Sequence, residues 1–263
     1  MESKFIWTDL STFDLSKATD FYHKVFGWSF SEDRSGYFNC SLGRDPCAGL
    51  YEMPAFFQKI RMPSFWMTYI SVNNIESITA KARELGGKVE LEEDNPRGRI
   101  ALIRDPAGAG VTCYEGDEIL SKPNLERPGS WCWTELMVSS ISLVRKFYET
   151  LFDWRFEAHS GNRYNIKTAT GVLIGAAQVA GKEEKGSKEF WAAYFAVSDL
   201  GETIHTIKEA GGCVEGIYTH EDGAQALAYD DQGAAFFLIQ KDGPSAADSS
   251  SFDSLDQSSG KLK

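Results

Sequence analysis

The sequence predicts an α+β protein of four βαβββ modules, paired into two tandem units. Three observations predict it: an internal repeat, a helical apolar period in each half-unit, and a Gly-bearing turn before each unit's last strand. The repeat is the strongest. Residues 7–30 read WTDLSTFDLSKATDFYHKVFGWSF and residues 133–156 read WTELMVSSISLVRKFYETLFDWRF. At a constant offset of 126 (133 − 7), Trp7/Trp133, Thr8/Thr134, Leu10/Leu136, Phe21/Phe147, Tyr22/Tyr148, Phe26/Phe152, Trp28/Trp154 and Phe30/Phe156 are identical. Asp9/Glu135 differ by a methylene, and Asn39/Asn165 keep the offset. A second block, 65–90 against 190–215, repeats at offset 125 (190 − 65) and carries Asp105 to Asp230 and Gly108 to Gly233. The repeating unit is roughly 115 to 125 residues, an ordinary domain size.

The elements follow in order. Phe5 to Thr12 is strand-like. Ala18, Phe21, Tyr22, Val25 and Phe26 then form one apolar helix face, with Asp14 as N-cap and Gly27 as stop. Val144, Phe147, Tyr148, Leu151 and Phe152 repeat that face. Short β runs follow at 36–42 and 47–53. The other half-unit opens at Trp66 to Val72, and its helix carries Ile75, Ile78, Ala82 and Leu85 before Gly86-Gly87. Its counterpart has Asp199 and Glu202 spaced as a capping box. Asp105-Pro106-Ala107-Gly108 suits a type I turn in a hairpin, and Asp230-Asp231-Gln232-Gly233 keeps the Asp and Gly. Residues 1–116 read as the first unit, 117–129 as a linker, 130–242 as the second unit, and 243–263 as a disordered Ser/Asp-rich tail.

Composition narrows the function classes. With 27 basic and 38 acidic residues the net charge is -11, which argues against nucleic acid or an anionic membrane as partner. The longest apolar run, Gly171 to Ala180, is too short to span a bilayer. The N-terminus lacks the apolar core of a secretory signal, and five Cys without a CxxC suit free thiols in the cytoplasm. The expected partner is a small molecule, and the expected assembly a monomer or homodimer.

The Asp14–Trp28 stretch, its partner at Phe147–Trp154 and the Asp-Pro-x-Gly turn resemble the vicinal oxygen chelate superfamily. That superfamily includes glyoxalase I, bleomycin-resistance proteins and extradiol dioxygenases. The resemblance covers about 5–116 and 131–242, and the Trp-rich tandem form looks like bacterial glyoxalase-like proteins with two such domains. It implies that paired modules curl into a cleft holding the ligand. In metal-dependent members it implies one ligand from the first and one from the last strand of a module, usually His, Glu or Gln. By motif these positions fall at Trp7, Met67, Trp133 and Ala192, and at Gly49, Thr112, Gly175 and Phe237. Only Thr112 offers an oxygen, and Glu52, Glu115 and Gln178 lie three residues too far along. About three imidazole, carboxylate or amide ligands are needed. No metal and no other cofactor is therefore expected. His23, His159 and His205 read as surface residues; His220-Glu221-Asp222 alone has ligand character.

Strand alternation puts Trp7, Asp9 and Ser11 on one cleft face with Met67, Tyr69 and Ser71. Trp133, Glu135 and Met137 join Ala192, Tyr194 and Ala196 on the second, and Cys132 becomes a core thiol. Trp28, Trp154, Trp66 and Trp191 read as packing. The expected function is binding of a small, partly aromatic organic molecule in a metal-free cleft, through Trp7, Met67, Tyr69, Trp133 and Tyr194. The alternative is an enzyme with isomerase or lyase chemistry on a carbonyl substrate, using Asp9 and Glu135 as catalytic acids or bases, or a displaced metal site. An acid repeated in an apolar strand is costly unless solvated or paired, and Arg99 and Arg104 are candidate partners. A third reading is a partner-binding module acting through the tail.

Overall fold

The computed structural model describes residues 2–59, 62–95, 97–118, 123–124, 127–220 and 223–240. The tail from 243 and the pair Glu221-Asp222 lie outside the described residues. The first unit runs β1 (Phe5–Thr12), α1 (Leu15–Phe26), β2 (Ser29–Glu32), β3 (Phe38–Leu42), β4 (Asp45–Glu52), α2 (Ala55–Lys59), β5 (Phe65–Ser71), α3 (Ile75–Glu84), β6 (Lys88–Asn95), β7 (Gly98–Arg104) and β8 (Gly110–Glu115). The second runs β9 (Trp131–Val138), α4 (Ile141–Phe152), β10 (Arg155–Ala158), β11 (Arg163–Lys167), β12 (Leu173–Val179), α5 (Lys182–Lys185), β13 (Phe190–Val197), α6 (Leu200–Glu209), β14 (Cys213–His220), β15 (Gly223–Tyr229) and β16 (Ala235–Gln240).

Each unit is one open eight-stranded mixed sheet. Its order is β2-β3-β4-β1-β5-β8-β7-β6 in the first and β10-β11-β12-β9-β13-β16-β15-β14 in the second. The two modules of a unit meet at an antiparallel seam, β1 on β5 and β9 on β13. The seam strands are buried along almost their whole length, and their sequences are rich in apolar and aromatic residues with a few buried polar groups among them. The helix ends follow the caps read from sequence. Asp14 accepts from the Lys17 N–H and Gly27 ends α1 at φ 71°. At the equivalent end of α4, Asp153 takes the left-handed conformation in place of a glycine, at φ 56°. The short helices α2 and α5, which carry no amphipathic period, were not foreseen.

All four long helices lie on the sheet face away from the cleft, and on that face the two units meet. Helix α1 packs on α6 and α3 on α4, while β5 touches β13 between them. One continuous apolar core results, drawing on both units. Phe26 stacks on Phe195 with centroids 5.0 Å apart, and Phe5 sits 5.1 Å from both Trp154 and Trp191. Trp28 and Trp66 belong to the same cluster, as do Trp154 and Trp191. These four Trp are packing residues, as their sequence positions indicate. Each buried aromatic contributes about 1.5–3 kcal/mol.

Two hydrogen-bonded chains cross this core. Trp66 Nε1 donates to the Tyr22 hydroxyl (3.1 Å), which donates to Asp230 Oδ2 (3.1 Å). Trp191 Nε1 donates to the Tyr148 hydroxyl (2.9 Å), which donates to Asp105 Oδ2 (2.9 Å). The other oxygen of each Asp closes its own turn. Asp105 Oδ1 accepts from the N–H groups of Ala107, Gly108 and Ala109, and Asp230 Oδ1 from Gln232 and Ala234. Burial raises both carboxyls, Asp230 to about 6. Tyr22→Phe leaves an indole N–H and a carboxylate oxygen buried without partners. It is expected to lower unfolding stability by about 1–3 kcal/mol in urea titrations, with both units still unfolding in one transition.

Candidate functional site

On the open face of the first sheet, Trp7, Met67, Tyr69 and Tyr114 cluster at the β1–β5 seam. Asp9 lies among them and is only 1% exposed. Its Oδ2 accepts from the Tyr69 hydroxyl (2.6 Å) and the Tyr37 hydroxyl (3.3 Å). Trp7 Nε1 in turn donates to the Tyr37 oxygen (2.9 Å). Asp9 Oδ1 is buried and has no hydrogen-bond partner among the described residues. Among the described residues no ion pair reaches the carboxylate. Burial therefore pushes Asp9 up to about 7, against the two phenol bonds that favour its anion. Burial and the Asp9 charge push the Tyr37 and Tyr69 hydroxyls well up, so both phenols stay protonated donors.

Tyr37 reaches Asp9 because Gly49, opposite Asp9 in register, has no side chain. A Cβ there would stand 1.7 Å from the Tyr37 oxygen. Arg97, in the turn after β6, lies 4.9 Å over the Tyr37 ring and bonds Asp33 (2.6 Å) and Asn39 (2.8 Å). Because β2-β3 and β6-β7 are opposite ends of the sheet, these bonds draw its two edges together over the face.

The second sheet repeats the acid and changes its company. Glu135 Oε2 accepts from the Tyr194 hydroxyl (2.9 Å), as Asp9 does from Tyr69. Arg163 then takes the place of Tyr37, 126 positions earlier (163 − 37), and donates Nε to Glu135 Oε1 at 2.9 Å. Tyr194 stacks on Phe237 with centroids 4.6 Å apart. Trp133 Nε1 is buried without a partner among the described residues.

All seven residues expected at the site lie on these two faces: Trp7, Asp9, Met67 and Tyr69 on the first, Trp133, Glu135 and Tyr194 on the second. Tyr37 and Arg163 were missed. Their signal was present, since they keep the offset of Asp9/Glu135 and Asn39/Asn165. Arg99 and Arg104 are not the partners of the acids: Arg99 bonds Asp94, and Arg104 bonds Glu90. Cys132 is not in the shared core. A bulge opposite Tyr194 and Phe195 turns it, beside Trp133, into the cleft-side cluster, so strict alternation fails there. The last-strand position of the third module is Ala176, which pairs with Glu135, and not Gly175.

The donor set does not fit the three-ligand metal centre that the resemblance implies. The first face offers one carboxylate with its phenols, and the second one carboxylate committed to Arg163 and Tyr194. Among the described residues no three His, Cys, Asp or Glu come together. His23 bonds the Trp28 carbonyl and His205 pairs with Glu209 on an exposed helix face. Cys40, Cys47, Cys113, Cys132 and Cys213 are free, only Cys213 being exposed. Among the described residues no helix is long and apolar enough to cross a membrane.

Paired βαβββ sheets, each with an acid at its seam, define a class that comparison identifies. The Glyoxalase/Bleomycin resistance protein/Dioxygenase superfamily model matches residues 4–112. "Putative glyoxylase CFP32" of Mycobacterium tuberculosis is 30% identical over 249 residues, covering 89% of this chain and 93% of that protein. "Anthracycline biosynthesis protein DnrV" of Streptomyces peucetius is 29% identical, covering 89% and 92%. The 2,3-dioxygenase LapB of Pseudomonas sp. KL28 shares the fold at a TM-score of 0.61 and 14% identity, covering 93% and 94%. The Mn(II)-bound glyoxalase of Novosphingobium aromaticivorans does so at 0.62 and 12%, covering 91% and 82%. The chain belongs to the glyoxalase/bleomycin resistance protein/dioxygenase superfamily.

The Asp9 geometry sets a pH dependence. Its folded carboxyl titrates near 7, above the ordinary 3.8, so the folded state binds the extra proton between those values. The stability it contributes is therefore fully present below about 3.8, is lost progressively as pH rises towards about 7, and is constant above that. Asp9→Asn, which keeps the shape without the charge, is expected to raise the melting temperature most at pH 8, less at pH 5, and least below pH 4. Equal shifts at these pH values would contradict a buried, proton-labile Asp9.

Proposed function

We propose that the chain binds a small, partly aromatic organic molecule, with Asp9 fixing it on the first face. The observation that carries this reading is the buried, unpartnered Oδ1 of Asp9 beside Trp7, Met67 and Tyr69. A buried carboxyl oxygen without a donor is costly, and a ligand hydroxyl or amine relieves that cost. The aromatic walls supply stacking to a flat skeleton and cation–π attraction to an amine. Trp133 and Tyr194 serve the second face in the same reading. The DnrV name adds support, since anthracyclines are fused-ring molecules with phenol and ketone groups. Five free thiols suit a reducing cytoplasm.

Tryptophan fluorescence, titrated with hydroxylated fused-ring aromatics, is expected to respond saturably. Trp7→Ala is expected to abolish the response of the first face, and Asp9→Asn to weaken binding at least tenfold, about 1.4 kcal/mol. A panel that produces no response, or a response unchanged in Trp7→Ala, overturns the proposal.

A second reading is favoured by the position of the Asp9 titration. A carboxyl near 7 is poised as a general base for isomerisation or lyase chemistry on a carbonyl substrate. Glu135 was the other candidate base, but both its oxygens are taken, by Tyr194 and Arg163. On this reading kcat/KM rises through pH 7 and falls at least a hundredfold in Asp9→Asn. Turnover that survives the substitution with an unchanged pH profile rules it out.

A further inference from the structure

The exchange of Tyr37 for Arg163 changes more than one contact. A phenol both donates and accepts, so Tyr37 takes the Trp7 N–H and passes its own hydrogen to Asp9. Among the described residues the first face then has one unmet need, the acceptor Oδ1 of Asp9. A guanidinium has no acceptor. Arg163 donates to Glu135 and has no lone pair for the indole above it. The second face is therefore left with the opposite unmet need, the donor Nε1 of Trp133.

The surroundings agree with a second, differently shaped site. Where the first face carries Met67 and Ser71, the second carries Ala192 and Ala196 at the 125 offset (192 − 67, 196 − 71). These small residues pack in one buried cluster with the stacked pair of Tyr194 and Phe237 and with half-buried Trp133. Both oxygens of Glu135 are already engaged, one by Arg163 and one by Tyr194. Ala176 stands in register with Glu135 as Gly49 does with Asp9. Its Cβ points to the space that the Tyr37 phenol fills on the first face.

We propose that the second face is a distinct binding site for a neutral hydrogen-bond acceptor, the carbonyl of a flat apolar or aromatic ketone, with Trp133 Nε1 as donor and the Tyr194–Phe237 stack as platform. The two units of one chain thus take ligands of opposite hydrogen-bond polarity, a donor over Asp9 and an acceptor over Trp133. This site shares with the first only the premise that these faces hold small molecules. The Trp7 and Trp133 indole signals report the two faces separately.

The test uses the full chain with 15N-labelled indoles, each signal assigned by a Trp→Phe variant. The probes are 2-acetylnaphthalene and 2-ethylnaphthalene, alike in shape except for the carbonyl. The ketone is expected to displace the Trp133 signal saturably and leave the Trp7 signal in place. The hydrocarbon should bind at least tenfold more weakly. Asp9→Asn should leave ketone affinity unchanged. The double variant Arg163→Tyr with Ala176→Gly gives the indole an internal acceptor and should cost at least tenfold in ketone affinity. A Trp133 signal that stays put at millimolar ketone overturns the proposal, as does an equal response to the hydrocarbon. Ketone binding read at Trp7 overturns it too, while leaving the Asp9 reading standing. Failure at Trp7 with phenolic probes tests that other reading alone.

Discussion

The hydroxyls of Tyr22 and Tyr148, each spent on an aspartate of the other unit, are the contacts on which the rest of the molecule depends. Each aspartate does two jobs with two oxygens. One closes the turn that sends the chain into its unit's last strand, and the other receives the phenol from across the interface. A turn is thereby tied to a foreign helix, and the helix to the strand it covers through Trp66 or Trp191. Apolar burial drives the faces together but has no preferred direction. The buried polar chains supply register, because a misplaced phenol would leave two partners dry and unmet. With the helix faces consumed in this way, each sheet has its opposite face left for other work.

The polar contacts on that face differ chiefly where Tyr37 in the first unit gives way to Arg163 in the second. Asp9 and Glu135 occupy equivalent places and share a tyrosine, yet the first lies among neutral phenols and the second against a guanidinium. Burial without a counter-charge moves a carboxyl toward neutrality, and it pushes Asp9 up to about 7. The neighbouring indole differs too, satisfied beside Tyr37 and, among the described residues, unmet beside Arg163. Neither arrangement follows from the fold, which the two units have in common.

The fold was legible because it rests on local rules repeated in register. The α1 face, the Asp14 and Asp199 caps and the Gly27 stop are short-range patterns, and the duplication doubled each signal. The acids and their tyrosines were legible too, as polar groups at fixed intervals in apolar strands. Tyr37 and Arg163 were marked only by their shared offset, since they enter the site from an edge hairpin, and the approach of Tyr37 depends on the missing side chain at Gly49. Cys132 escaped for a different reason. A bulge inserts one residue into the alternation, and no residue type announces it. The second role of Asp105 was also hidden, because the turn already explains an aspartate there and nothing local points to a phenol 43 residues later.

Joining both units in one polypeptide has a consequence for heredity. In a homodimer of a single unit, every substitution occurs twice, once in each copy. A tyrosine at the edge of the cleft would then be a tyrosine in both clefts, and an arginine an arginine in both. Fusion separates the two positions, so that 37 and 163 answer to selection independently. One face can trade its phenol for a guanidinium while the other keeps it, and a molecule with two-fold architecture carries two chemistries in one gene.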